Sequence, residues 1–210
     1  FTTVTPEAPN NNAIVTPLIV SEIMYNPADG SDYEFLELLN RGDSAIDLAG
    51  VEIFGGIEYE FGPTAGLLQP GERVVVARDR TAFQIAYPGV ANLADGDYSG
   101  KLSNGGEDIT LRLPWLAGLT PSMEYGDGWG WPIAADGAGH SLVFANTAGD
   151  TDHGPNWRAS TYMGGSPGLA DPALEDSVVI NEAMAHTDLN DPSYPQHDSN
   201  DWIELYNPTD

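Results

Sequence analysis

Short runs of β-type residues, each closed by a turn signal, recur along most of this chain and leave little room for any other fold class. From residue 18 onward, "LIVSEIMY" ends in "NPADG", "YEFLELLN" in "RGDS" and "IDLAGVEIF" in a Gly-Gly pair. "YEF", "RVVVA" and "DITLRL" follow at similar spacing, the last two behind the turns "QPGE" and "SNGGE". Short strands with regular turns in this number predict an all-β sandwich or barrel. The 24 Gly and 16 Pro are spread along the 210 residues, which suits many turns and disfavours long helices. Only "DRTAFQIAY", residues 79–87, has apolar groups at helical spacing, with Pro88 as a stop, and it predicts one or two turns of helix.

The pattern also repeats. "VSEIMYN" at residues 20–26 aligns with "INEAMAH" at 180–186, placing Glu22 on Glu182 and Met24 on Met184. "EFLELLN" at 34–40 aligns with "DWIELYN" at 201–207, placing Glu37 on Glu204 and Asn40 on Asn207, with a longer connecting loop in the second copy. The expected organisation is therefore a leader or linker over residues 1–17, a sandwich over 18–168, a linker over 169–177 and the start of a second repeat over 178–210. Within the sandwich, residues 18–113 form the core, and the Gly- and Trp-rich segment 114–168 packs back on it to bury its tryptophans. The strands of the second copy are apolar enough to need cover, and strand addition at a sheet edge is the expected route.

Charge narrows the partners. Seven Lys and Arg against 32 Asp and Glu give a net charge of -25, so nucleic acid and anionic membrane surfaces are disfavoured and cations are the natural counter-species. There is no cysteine, which excludes a disulfide framework, thiolate metal sites and thiol catalysis. No apolar run approaches the ~20 residues of a membrane span, so membrane insertion is not expected.

The stretches "YEFLELLNRGDSAIDLAGVEIF", "LLQPGERVVVA" and "GKLSNGGEDITLRL", in that order, resemble the lamin tail domain family. "WPIAADGAGHSLVF", "NWRAS" and "GGSPG" are similar to the extension found in its bacterial, secreted versions. The resemblance implies an immunoglobulin-like β-sandwich serving as a non-enzymatic structural or adhesive module of a larger extracellular or cell-surface protein. Its partners would then be other modules, or copies of the same protein, joined through sheet edges. Residues 1–17 show no heptad pattern, so nuclear filament function is not expected to carry over.

The chemistry-bearing residues are carboxylates inside strands. Strand alternation puts Val20, Glu22 and Met24 on one face, and Phe35, Glu37 and Leu39 together, so each glutamate sits among apolar groups. Three readings stay open. The carboxylates accept hydrogen bonds from backbone N–H groups of a covering loop, with Arg158 as an ion-pair partner. Alternatively Glu22 and Glu37, with loop residues Asp127 and Asp136 and with Asp29 and Asp32 nearby, bind calcium, which takes 6 to 8 oxygens. The third reading is the acid/base pair of a glycoside hydrolase. Trp129, Trp131 and Trp157 are candidates for a carbohydrate-stacking platform, set against a plain anchoring role for the extension. The four histidines show no paired ligand spacing.

Overall fold

The computed structural model describes residues 16–116, 120–128, 130–146, 148–173, 179–184 and 202–206. Most of the expected leader lies outside these residues. The chain divides into two compact units, Phe1–Asp171 and Pro172–Asp210.

In the first unit, the runs of branched and aromatic residues become strands in chain order: β1 Leu18–Met24, β2 Phe35–Asn40, β3 Ile46–Asp47, β4 Glu52–Gly55, β5 Ile57–Glu60, β6 Leu67–Leu68 and β7 Arg73–Ala77. The helix α1 spans Arg80–Ala86 and is followed by β8 Ser99–Gly100, β9 Gly106–Arg112, β10 Ser122–Gly126, β11 Leu142–Phe144 and β12 Trp157–Ala159. One five-stranded sheet has the order β12-β11-β1-β2-β7 and the other β10-β9-β4-β5-β8, with β3 and β6 forming a small separate ladder. Every named strand pair is antiparallel. Val20, Leu36, Leu38, Val74 and Val76 of the first sheet share a buried core with Ile53, Ile57, Ile109, Leu111 and Met123 of the second. This is an immunoglobulin-like β-sandwich. The Gly- and Trp-rich extension is integral to it, because β10 extends the second sheet while β11 and β12 extend the first.

The first sheet is buried on both faces. Across its outer side Met24, Phe35, Val75 and Ala77 pack under Phe83 of α1, joined by Tyr87, Val90 and Leu93. The Asp79 carboxylate caps α1 by accepting from the Ala82 N–H at 2.9 Å. One expectation fails here. Val20 does not share a face with Met24, because the β1–β2 register shifts between Val20 and Glu22, and Val20 joins the inter-sheet core while Met24 joins the outer cluster. A bulge at Ser21 is the physical reason, since one extra residue reverses the alternation beyond it.

The sheet edges are partly engaged. The outer edge of β7 exchanges bonds with a neighbouring segment, Val75 N–H to Asn92 O at 3.0 Å and Ala94 N–H to Val75 O at 2.8 Å. On the edge strand β10, the Glu124 N–H donates to the Asp152 carboxylate at 3.0 Å. In the second unit, β13 Val179–Met184 and β14 Trp202–Tyr206 form a two-stranded antiparallel sheet. Its pairing of Glu182 with Glu204 and its register shift between Ile180 and Glu182 match the pairing of Glu22 with Glu37 and the shift between Val20 and Glu22. Among the described residues, no helix is long and apolar enough to cross a membrane.

Candidate functional site

Glu22 of β1 and Glu37 of β2 are cross-strand partners, each only 1% exposed. A carboxylate that buried needs donors. Glu22 Oε1 accepts from Ser141 Oγ at 2.5 Å and from the Ser166 backbone N–H at 2.8 Å, and Ser166 Oγ donates to its other oxygen at 3.3 Å. Glu37 Oε1 accepts from Ser21 Oγ at 2.6 Å and pairs with Arg73 Nε at 3.1 Å, while the Gly168 N–H donates to its Oε2 at 2.7 Å. The bulge thus has a use, since it turns the Ser21 hydroxyl onto the neighbouring strand's carboxylate.

The "GGSPG" segment, residues 164–168, supplies the covering donors. Gly164 and Gly165 have φ of 89° and 78°, a backbone that glycine adopts without strain. A Cβ on Gly165 would lie 2.2 Å from Glu22 Oε1, so the loop approaches the carboxylate more closely than a side chain permits. Burial raises Glu22 from an ordinary 4.5 to about 7. Burial, and then the facing Glu22 charge, raise Glu37 to about 8, against the lowering effect of Ser21, Gly168 and Arg73. Near neutrality the pair therefore retains a proton.

A second buried carboxylate, Glu34, stands just before β2. Its Oε2 accepts from Tyr98 OH and from the Leu102 N–H, both at 3.0 Å, and Arg78 reaches its Oε1 at 3.3 Å. Burial, followed by the Glu34 charge, pushes the Tyr98 hydroxyl strongly upward, so it stays a donor.

The other candidates fall elsewhere. Asp127 and Asp136 are exposed, and Asp136 accepts from Asn26 Nδ2 at 2.7 Å. Burial first, and then both carboxylates, push the Tyr25 hydroxyl's ionisation to higher pH, so it stays neutral. Among the described residues, that hydroxyl is the one fully buried side-chain polar atom without a hydrogen-bond partner. Also among the described residues, no group of three or more His, Asp and Glu side chains is arranged to hold a metal ion. Trp157 is buried, with its ring 5.0 Å from Phe144 and 6.1 Å from a half-buried Trp131, and its Nε1 donates to Thr151 O at 2.8 Å. Trp129 lies outside the described residues. Arg158 pairs with Asp171 at 2.5 Å, and the arginine of Glu37 is Arg73.

The structure brings Glu22 and Glu37 together and surrounds them with hydroxyl and amide donors, an arrangement that fastens chain to chain. Ser21, Ser166 and Gly168 were not singled out from the sequence. Only the adjacent glycines of "GGSPG" carried a signal, since paired glycines in a loop mark a place where backbone must come close to something.

No match to the chain was found among the curated proteins or among the solved structures. The family model described as Lamin Tail Domain matches residues 12–119, which contain β1 through β9 and therefore both Glu34 and Glu37. The chain belongs to the lamin tail domain family.

Proposed function

We propose that the chain is a non-enzymatic structural and interaction module of a larger extracellular or cell-surface protein, assembling with other modules or with copies of itself through a sheet edge. The observation that carries this reading is the saturation of its strand carboxylates by internal donors, which makes Glu22, Glu34 and Glu37 fasteners of the fold. Membership of a family of immunoglobulin-like structural modules supports it.

The two-stranded sheet of the second unit is the start of a second lamin-tail-like copy in this reading. Its support is the shared register and the shared bulge chemistry, since Asn181 Nδ2 donates to Glu204 Oε1 where Ser21 donates to Glu37. In the first unit the same hairpin is flanked by β11 and β7, so β13 and β14 present edges suited to two further strands. Hydrogen exchange of the amides at 180–184 and 202–206, measured over a range of protein concentrations, tests the assembly. Protection that rises with concentration supports pairing between copies, whereas rapid exchange at every concentration removes it.

The calcium-dependent alternative draws on the orphan Tyr25 hydroxyl beside Asp127 and Asp136, and the carbohydrate-binding alternative on the half-buried Trp131. A melting point unchanged by excess chelator and by added calcium would end the calcium version.

A further inference from the structure

We propose that residues 164–171 act as a proton-controlled strap, fastened over the first sheet by the facing carboxyls of Glu22 and Glu37 and released in alkaline solution to open the groove beside β7.

The strap is pinned at both ends by bonds to uncharged groups or to a salt bridge. At its start, the Gly164 N–H donates to Gly139 O at 2.7 Å and Tyr87 OH donates to Gly164 O at 2.8 Å. At its end, Asp171 is held by Arg158 at 2.5 Å and by the Thr161 N–H and hydroxyl at 3.1 and 2.9 Å. Between these ends, the described hydrogen bonds from residues 166–168 to the sheet all go to Glu22 and Glu37. Beside the strap lies a groove of about 900 Å³ lined by Leu67, Arg73, Tyr87, Val90, Ser166 and Leu169 among others.

The charges around the pair decide its response. From β7, Arg73 contributes one positive charge against two carboxyls. The neighbouring Glu72 is exposed and is occupied with the Gln69 N–H at 2.8 Å. From the strap's far end, Asp171 raises Glu22 further. On the α1 side, Tyr87 is pushed up to about 12, first by burial, and stays neutral. Beside β11, Ser141 is uncharged, and its neighbour His140 places Nδ1 2.8 Å from Ser160 O. One proton on the pair balances this set, and its loss leaves two facing negative charges with a single counter-ion.

Opening the strap admits water to both carboxyls and returns them toward 4.5, so the closed form binds more protons than the open one. Raising the pH through 7 and 8 therefore favours opening. Once open, residues 166–168 lift from the sheet between the two pinned ends, and the groove loses part of one wall.

Hydrogen exchange of the Ser166 and Gly168 amides in the full chain, corrected for the intrinsic rate, tests this. Between about pH 6 and about pH 9 their protection is expected to fall by about tenfold or more, while amides in the β2–β7 ladder keep theirs. Glu37→Gln keeps a carbonyl for Gly168 and removes one of the two titrating carboxyls and the facing charge, so its strap protection is expected to fall clearly less across the same range. Glu22→Gln provides the same comparison where that variant folds poorly. A flat profile in the unmodified chain, an equal loss in the ladder, or an unchanged profile in both glutamine variants would each overturn the proposal.

Discussion

Glu34 offers the sharpest test of whether buried carboxylates in this sandwich work as acceptors for loops or as charges for ion pairs. Its Oε2 takes two neutral, buried donors at 3.0 Å, Tyr98 OH and the Leu102 N–H, while Arg78, whose side chain is 27% exposed, reaches Oε1 at 3.3 Å and Oε2 at 3.4 Å. Glu34→Gln can point its carbonyl oxygen at Tyr98 and Leu102 and its NH₂ at Arg78. The guanidinium then turns to water, so the loss should stay within about 1 kcal/mol. Glu34→Ala strands both buried donors at about 1 to 3 kcal/mol each, or about 2 to 6 together. For a unit of this size that is a melting point lowered by roughly 5 to 20 °C. Urea unfolding followed by tryptophan fluorescence gives both numbers, with buried Trp157 and half-buried Trp131 as reporters. Tyr98→Phe completes a double-mutant cycle, and it should cost much less in the Glu34→Ala background than in the unmodified chain. Equal destabilisation by Gln and Ala would refute the reasoning, because it would assign the stability to the charge on Arg78.

Other outcomes follow from the same contacts. Glu22 and Glu37 both have raised values in the folded state, so their stabilising contribution is complete below the ordinary 4.5 and is lost as the pH rises through about 7 and 8. The urea midpoint should therefore fall between about pH 6 and about pH 9, and Glu37→Gln should make that fall shallower, with Glu22 still titrating. Gly165→Ala meets Glu22 Oε1 at 2.2 Å at a φ of 78°, while Gly66→Ala has a similar φ of 85° in open space. The first should lower the melting point clearly more than the second, whose cost is backbone strain alone, about 1 kcal/mol. Ser21→Ala removes a 2.6 Å bond to Glu37 and should cost about 1 kcal/mol in chemical denaturation. Truncation after Leu113 deletes β10, β11 and β12 from both sheets, and calorimetry should show no cooperative transition in the remainder.

The sandwich was legible because its strands and turns are written locally. "RVVVA" after "QPGE" is β7 behind a turn in which the Glu72 N–H donates to Gln69 O at 3.0 Å, and Asp79 and Pro88 bracket α1 as their chemistry requires. The bulge at Ser21 was not legible, because nothing in "VSEIM" distinguishes an extra residue from a regular one until the partner strand is in place. The repeat did mark Glu22 and Glu37 as special, but the donors that explain them lie far away in the chain, Ser141 at a separation of 119 residues and Ser166 at 144. Periodicity reports which face a residue occupies. It carries no information about which distant loop will cover that face.

That covering problem accounts for the choice of glutamate. A sheet buried on both faces needs two covers, and α1, seven residues long, shields only the end near Phe35 and Met24. The rest of the outer face lies under irregular chain, whose N–H groups have no ladder to join and would be costly to bury unpaired. A carboxylate is the one common side chain with two oxygens that only accept, so it can bind donors from two directions, as Glu37 does with Ser21 and Gly168. An amide in its place would turn an NH₂ toward one of them. Standing alone, Glu34 can meet this need with an ion-paired arginine. Two such residues placed opposite each other on β1 and β2 cannot both be charged at low cost, and the proton that resolves the conflict makes the cover over them sensitive to pH. Glu182 and Glu204 stand opposite each other in the same register, with Asn181 donating to Glu204, so any chain segment that covers that hairpin meets the same requirement: backbone donors and close approach.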